Sequence, residues 1–343
     1  MAIIYGKDNV TVYGTRFSDE IYLSGKSVAY GGAGNDTIEG SAVANRIYGQ
    51  DGNDTIIGNG GLDTVWGGGG NDTLLAPSEI DPVRFYGDAG ADLLRGSHGD
   101  DYLDGGAGDD YLMAMGGRDS LRGGIGNDTL VYGDDQDIDV HGVSTFSGGD
   151  GHDILALDVH GNDGGQLVEV RISGEGRGNL GYSTGIPNND YERTLDFTGI
   201  NEIRVDTSET TGLIYFGGDS DNTVIGGYQD DILIGGMGSE TFAGGDGNDQ
   251  FVFRFLAAEQ GNPGELAMGH DRITDFSFSA DGNSDTIGIV DGNEYIMQTT
   301  QTEHDGVTTY TSIDDLGHVI HILDVDAVGL PPLQFLSDDW WTA

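Results

Sequence analysis

The sequence predicts an all-β fold, a right-handed parallel β-solenoid. Three observations predict it: a period of nine residues, 62 glycines but only 6 prolines in 343 residues, and one aliphatic residue in each period. The period is clearest in the consecutive units Gly105–Met113, Ala114–Arg122 and Gly123–Val131, which all have Asp at the sixth place and Leu at the eighth. A fixed period of this length is typical of stacked repeats.

Each unit is predicted to contain one turn and one short strand. The first six residues are mostly Gly, Asn and Asp, which favour tight turns, and the last three favour extended backbone. Two units then make one coil, so units two apart stack as neighbours in a parallel sheet with strands about 4.8 Å apart. The eighth place points inward. The predicted inward residues are Ile38, Ile47, Ile56, Val65, Leu74, Val83, Leu94, Leu103, Leu112, Leu121, Leu130, Val224, Leu233, Phe242 and Phe251.

The loss and return of the period divide the chain into five segments. We predict an N-terminal cap or degenerate turn at residues 1–30, a first roll at 31–156, a non-repeat insertion at 157–216, a second roll at 217–252 and a C-terminal cap at 253–343. Strands are expected in the insertion and in the tail, since both contain apolar runs between turn residues. Phe85 and Tyr86 are interpreted as two residues inserted between the units that begin at 76 and 87.

The charge balance excludes some classes of partner. Acidic residues outnumber basic residues by 59 to 14, and the formal net charge of -45 disfavours nucleic acid and favours cations. The chain has no cysteine, so disulfides cannot stabilise it. No apolar run is long enough to span a membrane, and the N-terminal residues MAIIYGKDNV contain too short an apolar stretch for a secretory signal peptide.

The sixth places predict metal ligands. Stacking brings carboxylates of units two apart face to face, where they repel each other unless a cation lies between them. The pattern G-G-x-G-x-D-x-U-x is a known Ca²⁺-binding nonapeptide, and Ca²⁺ accepts carboxylate and backbone carbonyl oxygens. We therefore expect several bound Ca²⁺ ions. The predicted side-chain ligands are Asp36, Asn45, Asp54, Asp63, Asp72, Asp81, Asp92, Asp101, Asp110, Asp119, Asp128, Asp137, Asp153, Asp231 and Asp249. The predicted glycine ligands are Gly31, Gly49, Gly67, Gly105, Gly123, Gly148 and Gly244.

The ninth place of each unit points outward. Stacking is predicted to put Tyr48, Trp66 and Arg84 in one exposed row. Two interpretations remain open: cross-strand packing with cation-π stabilisation, and a stripe that contacts glycans.

No motif predicts an enzyme. Residues 181–185 spell G-x-S-x-G around Ser183, but the buried strand before and the helix after that a nucleophile elbow requires are absent from the pattern. The zinc-protease motif H-E-x-x-H does not occur. We therefore predict a non-enzymatic protein. The alternative is a secreted enzyme with its chemistry in residues 157–216 or in the tail.

The nonapeptides resemble the RTX, or hemolysin-type, repeats of type I secreted bacterial proteins. Residues 269–276, with the sequence GHDRITDF, resemble part of the serralysin C-terminal region. The resemblance implies a calcium-binding β-roll that the type I secretion machinery exports without an N-terminal signal peptide and that folds in extracellular calcium. The role that we expect for such a protein is adhesion, association with a surface or matrix, or binding of a partner such as a carbohydrate or a cell surface. The alternative is a detached serralysin- or lipase-like module.

Overall fold

The computed structural model describes residues 1–77, 80–134, 143–159, 167–174, 177–183, 191–205, 212–218, 220–236, 238–255, 270–276, 285–291, 298–304, 306–313, 319–326 and 334–336. All secondary-structure elements in these ranges are β-strands. The same ranges contain no helix that is long and apolar enough to cross a membrane. The chain forms two compact units. The first comprises Met1–His160 and Arg193–Ile200, and the second comprises Gly161–Glu192 and Asn201–Ala343.

The first part of the chain contains short strands separated by tight turns. They are β1 (Ile3–Gly6), β2 (Thr11–Tyr13), β3 (Glu20–Leu23), β4 (Val28–Ala33), β5 (Thr37–Glu39), β6 (Arg46–Asp51), β7 (Thr55–Ile57), β8 (Thr64–Gly69), β9 (Thr73–Leu75), β10 (Arg84–Ala89), β11 (Leu93–Arg95), β12 (Tyr102–Ala107), β13 (Tyr111–Met113), β14 (Ser120–Ile125), β15 (Thr129–Asp134), β16 (Ser144–Asp150) and β17 (Ile154–Val159).

The remaining strands are on average longer and less regularly spaced. They are β18 (Leu167–Gly174), β19 (Arg177–Ser183), β20 (Tyr191–Thr198), β21 (Glu202–Val205), β22 (Leu213–Phe216), β23 (Thr223–Ile225), β24 (Ile232–Gly235), β25 (Thr241–Ala243), β26 (Gln250–Phe255), β27 (His270–Ile273), β28 (Thr286–Asp291), β29 (Gln298–His304), β30 (Val307–Ile313), β31 (Val319–Val325) and β32 (Gln334–Leu336).

The first unit is a parallel β-solenoid, as the nine-residue period predicts. Odd-numbered strands β1 to β17 form one sheet, and even-numbered strands β2 to β16 form the other. Every neighbouring pair is parallel, and β20 continues the second sheet beside β16. Because consecutive strands alternate between the sheets, each coil contributes one strand to each sheet.

The core of this unit is one row of side chains from each sheet. Ile38 pairs with Ile56, and Ile56 pairs with Leu74, so the eighth places stack directly above one another. The inward residues are fully or almost fully buried. They include Ile21, Ile38, Ile56, Leu74, Leu94, Leu112, Leu130 and Leu155 on one sheet, and Ala29, Ile47, Val65, Phe85, Leu103, Leu121 and Phe146 on the other.

The predicted register is wrong at one turn. Val65 pairs with Phe85 and Trp66 pairs with Tyr86, so the two additional residues lie before β10 and not after it. Phe85 occupies the inward row and is 0% exposed. Val83, the predicted inward residue, is also buried, but it lies in the turn. Both residues are apolar and two apart, so the alternation of the pattern alone cannot distinguish them.

The second unit also contains two parallel stacks. Strands β21, β23, β25, β27 and β31 follow one another in one sheet. Strands β18, β22, β24, β26, β28 and β32 follow one another in the other. Antiparallel pairing is present where β19 joins β18, and where β29 and β30 join β31. The strands expected in the insertion and tail are therefore present, and the tail continues parallel stacking although its sequence has lost the period.

Candidate metal centre

A row of hydrogen bonds joins the sixth places of successive coils. The N–H of Asp36 donates to Oδ1 of Asp54, and the N–H of Asp54 donates to Oδ1 of Asp72, each over 2.7 Å. The first turn supplies Asp19, whose N–H donates to Asp36. The row continues in the same way through Asp92, Asp110, Asp128 and Asp153. We call this set the aspartate row. Each member lies immediately before the first residue of a strand, so the parallel sheet fixes its position.

The row keeps its register where the turns change length. Asp36 and Asp54 are 18 residues apart, whereas Asp72 and Asp92 are 20 apart. Asp128 and Asp153 are 25 apart, yet the hydrogen bond between them has a length of 2.9 Å. Additional residues are therefore accommodated in the turns, and the carboxylates remain stacked.

The second carboxylate oxygen, Oδ2, of many sixth-place aspartates is buried without a hydrogen bond. The carboxylates are at most 3% exposed. Within the described residues, Oδ2 accepts no hydrogen bond in Asp36, Asp54, Asp63, Asp72, Asp92, Asp110, Asp128 and Asp249. A buried carboxylate oxygen without a partner is energetically costly, and many such oxygens in one protein indicate a ligand.

Backbone carbonyls lie beside these oxygens. A Cβ atom placed on Gly31 would lie 2.5 Å from Oδ2 of Asp36 and 2.6 Å from the carbonyl oxygen of Gly49 in the next coil. The same pair of atoms, the Oδ2 of the unit and a carbonyl oxygen of the next coil, surrounds Gly49, Gly67, Gly105, Gly123 and Gly148. A side chain at these glycines would therefore fill the space between the oxygens. Beside Gly244, the Oδ2 of Asp249 is the nearest atom.

Burial raises the pKa of the stacked carboxyls. The pKa of Asp72 and of Asp110 is about 7, because both are desolvated and lie beside other aspartates. The pKa of Asp54 and of Asp92 is about 6 for the same main reason. Asp19 differs. Burial acts to raise its pKa, but hydrogen bonds from Thr15 and Ala2 outweigh burial and hold it below the ordinary value.

The donor set fits a calcium ion. Ca²⁺ takes six to eight oxygen ligands, and carboxylate and carbonyl oxygens are its usual protein donors. Here an unpartnered carboxylate oxygen, an adjacent carbonyl oxygen and uncompensated negative charge occur together in turn after turn. Asp36, Asp54, Asp72, Asp110 and Asp128 would hold the ions, which would supply the charge compensation that the buried carboxylates lack.

The opposite edge of the first unit is less regular. The N–H of Asn45 donates to Asp63, and the N–H of Asp101 donates to Asp119. The predicted pairing of Asp119 with Asp137 is not observed: the N–H of Asp119 donates to Ser144 Oγ over 3.0 Å, and Asp137 lies outside the described residues. Ser144 takes the sixth place because Phe146, two residues later, pairs with the inward Leu121. A serine carries no carboxylate, so the motif gives no signal for this position.

Asp81 does not occupy the sixth place that the sequence predicts. The N–H of Val83 donates to Oδ1 of Asp101 over 2.8 Å, so Val83 occupies that place. Asp81 is only partly buried, and its Oδ2 accepts the N–H of Gly61. The reason is the shifted register of β10, which moves Asp81 two residues away from the strand.

The second unit contains a shorter row. The N–H of Asp231 donates to Oδ1 of Asp249 over 2.9 Å, as predicted by their spacing. The N–H of Asp249 then donates to Asp285. Asp285 is an acidic residue of the tail that the sequence analysis did not assign to a site. Asp249 and Asp285 are 36 positions apart in the sequence, so the nine-residue pattern did not reveal that they stack, although Asp285 also precedes a strand.

Glu240 replaces the sixth-place aspartate on the other edge of this unit. Its N–H donates to Oδ1 of Asp271, and its side chain is fully buried. Burial and, to a smaller extent, the adjacent Asp271 raise the pKa of Glu240 to about 9. A protonated carboxyl at this position is neutral, so it does not require a cation.

The outward-facing row of the ninth places contains a ladder of stacked, partly exposed aromatic rings. The rings of Tyr30 and Tyr48 are 4.8 Å apart with an interplanar angle of 8°, and those of Tyr48 and Trp66 are 4.5 Å apart at 6°. The next member is Tyr86 and not Arg84, which pairs with Thr64. Each inner ring therefore has both faces covered by neighbours. This geometry supports the cross-strand packing interpretation, because stacking on a sugar requires an open ring face.

The comparisons with known proteins agree with the repeat geometry. The model of the RTX calcium-binding nonapeptide repeat matches residues 13–44, 40–74, 84–112, 104–139 and 216–251. No curated protein matches the chain. Among solved structures, the extracellular lipase LipA from Serratia marcescens is similar at 16% identity with a TM-score of 0.21, and the match covers 76% of this chain and 38% of the lipase. The chain thus spans well under half of the lipase. The matched ranges contain the aspartate row from Asp19 to Asp128, and in these ranges the chain consists of RTX calcium-binding repeats.

Proposed function

We propose that the protein is a secreted calcium-binding β-roll that folds when it meets calcium outside the cell. The observation that carries the proposal is the row of buried Oδ2 atoms without hydrogen bonds beside backbone carbonyls. The net charge of -45 adds to it, since a compact chain of this charge repels itself until cations compensate it. The match to RTX repeats supports secretion, because such repeats are typical of type I secreted proteins.

Calcium binding would be coupled to folding. The sites require carboxylates from different coils, so they do not exist in the unfolded chain, and the binding free energy becomes folding free energy. Extracellular calcium modules bind with dissociation constants of about 10⁻⁴ to 10⁻³ M. At ten times the dissociation constant, each site contributes about 1.4 kcal/mol. Several sites together are enough to exceed the usual marginal stability of a domain.

A calcium titration tests this proposal. Far-ultraviolet circular dichroism of metal-free protein should show little β-structure, and addition of Ca²⁺ should produce it with a midpoint between about 0.1 and 1 mM. Mg²⁺ at the same concentration is the control and should be much less effective, because it demands octahedral geometry and keeps its waters. A β-sheet spectrum that is the same in EGTA and in calcium would contradict the proposal.

We further propose a non-enzymatic role in adhesion, in surface association or in binding a partner. The carboxylates with raised pKa values, which could otherwise act as acids or bases, are at most 3% exposed in the aspartate row and are closed to a substrate. Ser183 ends β19, which is antiparallel to β18, and a nucleophile elbow requires a different setting. A hydrolase panel in calcium tests the enzyme alternative, and turnover of any substrate by purified protein would favour it.

A further inference from the structure

The second residue of each nonapeptide unit adopts one of two backbone conformations. In nine units its φ angle is positive, and these residues are Gly32, Gln50, Asn59, Gly68, Asp88, Gly106, Gly124, Gly149 and Gly245. In other units φ lies outside the left-handed region, and four of these second residues form the second group: Thr15, Ser41, Ser97 and Gly227. The two groups differ in what happens to the side chain four residues later.

Positive φ coincides with an unpartnered carboxylate. In eight of these nine units the sixth residue has an Oδ2 atom without a hydrogen bond within the described part of the chain, namely Asp36, Asp54, Asp63, Asp72, Asp92, Asp110, Asp128 and Asp249. The correspondence holds for units with Asp or Asn at the sixth place. Glu240, whose side chain is one methylene longer, lies outside it.

In the second group the N–H of the second residue caps the sixth side chain. Thr15 donates to Oδ2 of Asp19 over 2.6 Å, and Ser97 donates to Oδ2 of Asp101 over 2.5 Å. The same bond joins two further pairs. They are Ser41 with Oδ1 of Asn45, at 2.7 Å, and Gly227 with Oδ2 of Asp231, at 2.9 Å.

The two conformations are physical alternatives for the same space. The φ angle sets how the N–H of the second residue points relative to the rest of the turn. When the N–H points at the carboxylate, it satisfies the oxygen and puts a positive hydrogen where a cation would lie. When the second residue is left-handed, the oxygen has no internal partner and the space stays open to a cation.

Three residues adopt the open conformation although it is unfavourable for them. Gln50, Asn59 and Asp88 have φ values of 82°, 65° and 71°, and all three are second residues of their units. In the described ranges, Asn9 is the one other non-glycine residue with positive φ. Backbone strain of this kind persists where the surroundings require it, and it clusters at ligand sites.

We propose that the second residue of each unit decides whether the unit binds a calcium ion or closes on itself. Open units are those of Asp36, Asp54, Asp63, Asp72, Asp92, Asp110, Asp128 and Asp249, and closed units are those of Asp19, Asn45, Asp101 and Asp231. This inference rests on the proposed calcium binding. It implies that the ions of the first unit lie mainly along the aspartate row, and that on the opposite edge hydrogen bonds replace the ion at Asn45 and Asp101.

Paired variants at one turn test the inference. Asn59 is an open second residue, and the serines at the equivalent places on the same edge, Ser41 and Ser97, are closed. Asn59→Ser should therefore bind one Ca²⁺ ion fewer per chain than the unsubstituted protein. Asn59→Gly is the matched control, because it loses the same side-chain bond to the Gly40 carbonyl but accepts positive φ easily. It should bind the full number.

Native mass spectrometry in calcium counts the ions, and circular dichroism confirms folding. Equal counts in Asn59→Ser and Asn59→Gly would overturn the inference. Should Asn59→Ser not fold, Ser97→Asn decides: it places the residue of the open turn at 59 in the equivalent turn, so it should open the unit of Asp101 and bind one additional ion. Misfolding cannot imitate this gain, and an unchanged count would refute the inference. If the unsubstituted protein binds no calcium, the proposed function itself fails, which is a different result.

Discussion

At the scale of single residues, a buried aspartate destabilises the metal-free fold and also offers a ligand for a metal ion. Asp72 illustrates this: its Oδ1 accepts the N–H of Asp54, while its Oδ2 has no hydrogen bond in the described structure. Without metal the second oxygen destabilises the fold, and with metal it becomes a ligand. The same atom therefore has opposite effects on stability in the two conditions.

Asp72→Asn should separate these two effects. Asparagine keeps the oxygen that accepts the N–H of Asp54 but removes the buried charge, so the metal-free fold should gain about 1–3 kcal/mol. The calcium affinity of that turn should fall, because a negative ligand is lost. A calcium titration followed by circular dichroism, from EGTA to saturating calcium, measures both changes. The exposed Asp51 supplies the control Asp51→Asn, which should change neither, and equal destabilisation in both conditions by Asp72→Asn would argue against a metal ligand.

The raised pKa values predict how metal-free stability depends on pH. Asp63, Asp72 and Asp110 have pKa values of about 7 in the fold, compared with an ordinary value of 3.8. Between these values the folded state holds more protons than the unfolded state, so stability falls as pH rises from about 4 to 7. Metal-free protein should therefore show more β-structure by circular dichroism at pH 5 than at pH 7.5. More β-structure at pH 7.5 than at pH 5 would show that the carboxyls are ionised and compensated within the fold.

At the scale of elements, the aromatic ladder is predicted to stabilise the sheet. Trp66 stacks on Tyr48 and Tyr86, and a stacked aromatic pair contributes about 0.5–1.5 kcal/mol beyond the buried area. Trp66→Ala should therefore lower the free energy of unfolding in calcium by roughly 1–3 kcal/mol, and Trp66→Tyr should restore most of it. Urea denaturation in calcium provides the measurement.

A glycan-binding screen of the same variants checks the other interpretation of the ladder. We expect no glycan whose binding disappears in Trp66→Ala while the variant remains folded. Loss of a specific glycan in Trp66→Ala, with retention in Trp66→Tyr, would assign the ladder to carbohydrate recognition instead of packing.

The inward rows make a similar prediction with a larger effect. Ile56 is fully buried between Ile38 and Leu74 of the neighbouring coils. Ile56→Ala should cost about 2–5 kcal/mol in calcium, because it removes buried methyl groups and leaves a cavity. Ile57, which is partly exposed one residue later, provides the control Ile57→Ala with a smaller effect. Equal losses in the two variants would contradict the inward register.

The regular units could be predicted from the sequence, because one aliphatic residue and one aspartate per nine residues fix both the core and the carboxylate stack. Ile38, Ile56, Asp36 and Asp54 lie where the period puts them. Irregular turns could not be predicted in this way. The choice between Val83 and Phe85, both apolar, depends on packing, and the strand pairing is what decides it.

The nonapeptide motif also could not predict which turns are open and which are closed. Gln50 and Ser97 are both polar residues after a glycine, and neither matches the second glycine of the pattern. Only the backbone conformation separates them, and it depends on what the turn must accommodate. Asp285 was missed for a different reason, since a long connection separates it from the aspartate above which it stacks.

At the scale of the whole molecule, the open turns are unevenly distributed. Among the residues that the structure describes, seven of the eight open units belong to the first compact unit, and Asp249 alone belongs to the second. Removal of calcium should therefore affect the two compact units differently. The first should lose most of its stability, whereas the second depends more on buried aromatic residues such as Tyr215, Phe242 and Phe251.

Hydrogen exchange measured by mass spectrometry, with calcium and with EGTA, tests this difference. Amides of β5 to β15 should lose protection by several orders of magnitude in EGTA, because opening free energies and protection are directly related. Amides of β22 to β26 should lose less. A uniform loss along the chain would show that the two units unfold together, and a larger loss in the second unit would contradict the assignment of open turns.

The stacking of the aspartates does not depend on the number of residues that connect them. Asp128 and Asp153 remain hydrogen-bonded across 25 residues, where a regular coil has 18. The solenoid therefore tolerates a longer connection between strands, provided that the next strand pairs in the same register. A β-roll of this kind can therefore lengthen one connection at a time, and a binding peptide grafted between β15 and β16 should be displayed without rebuilding the scaffold.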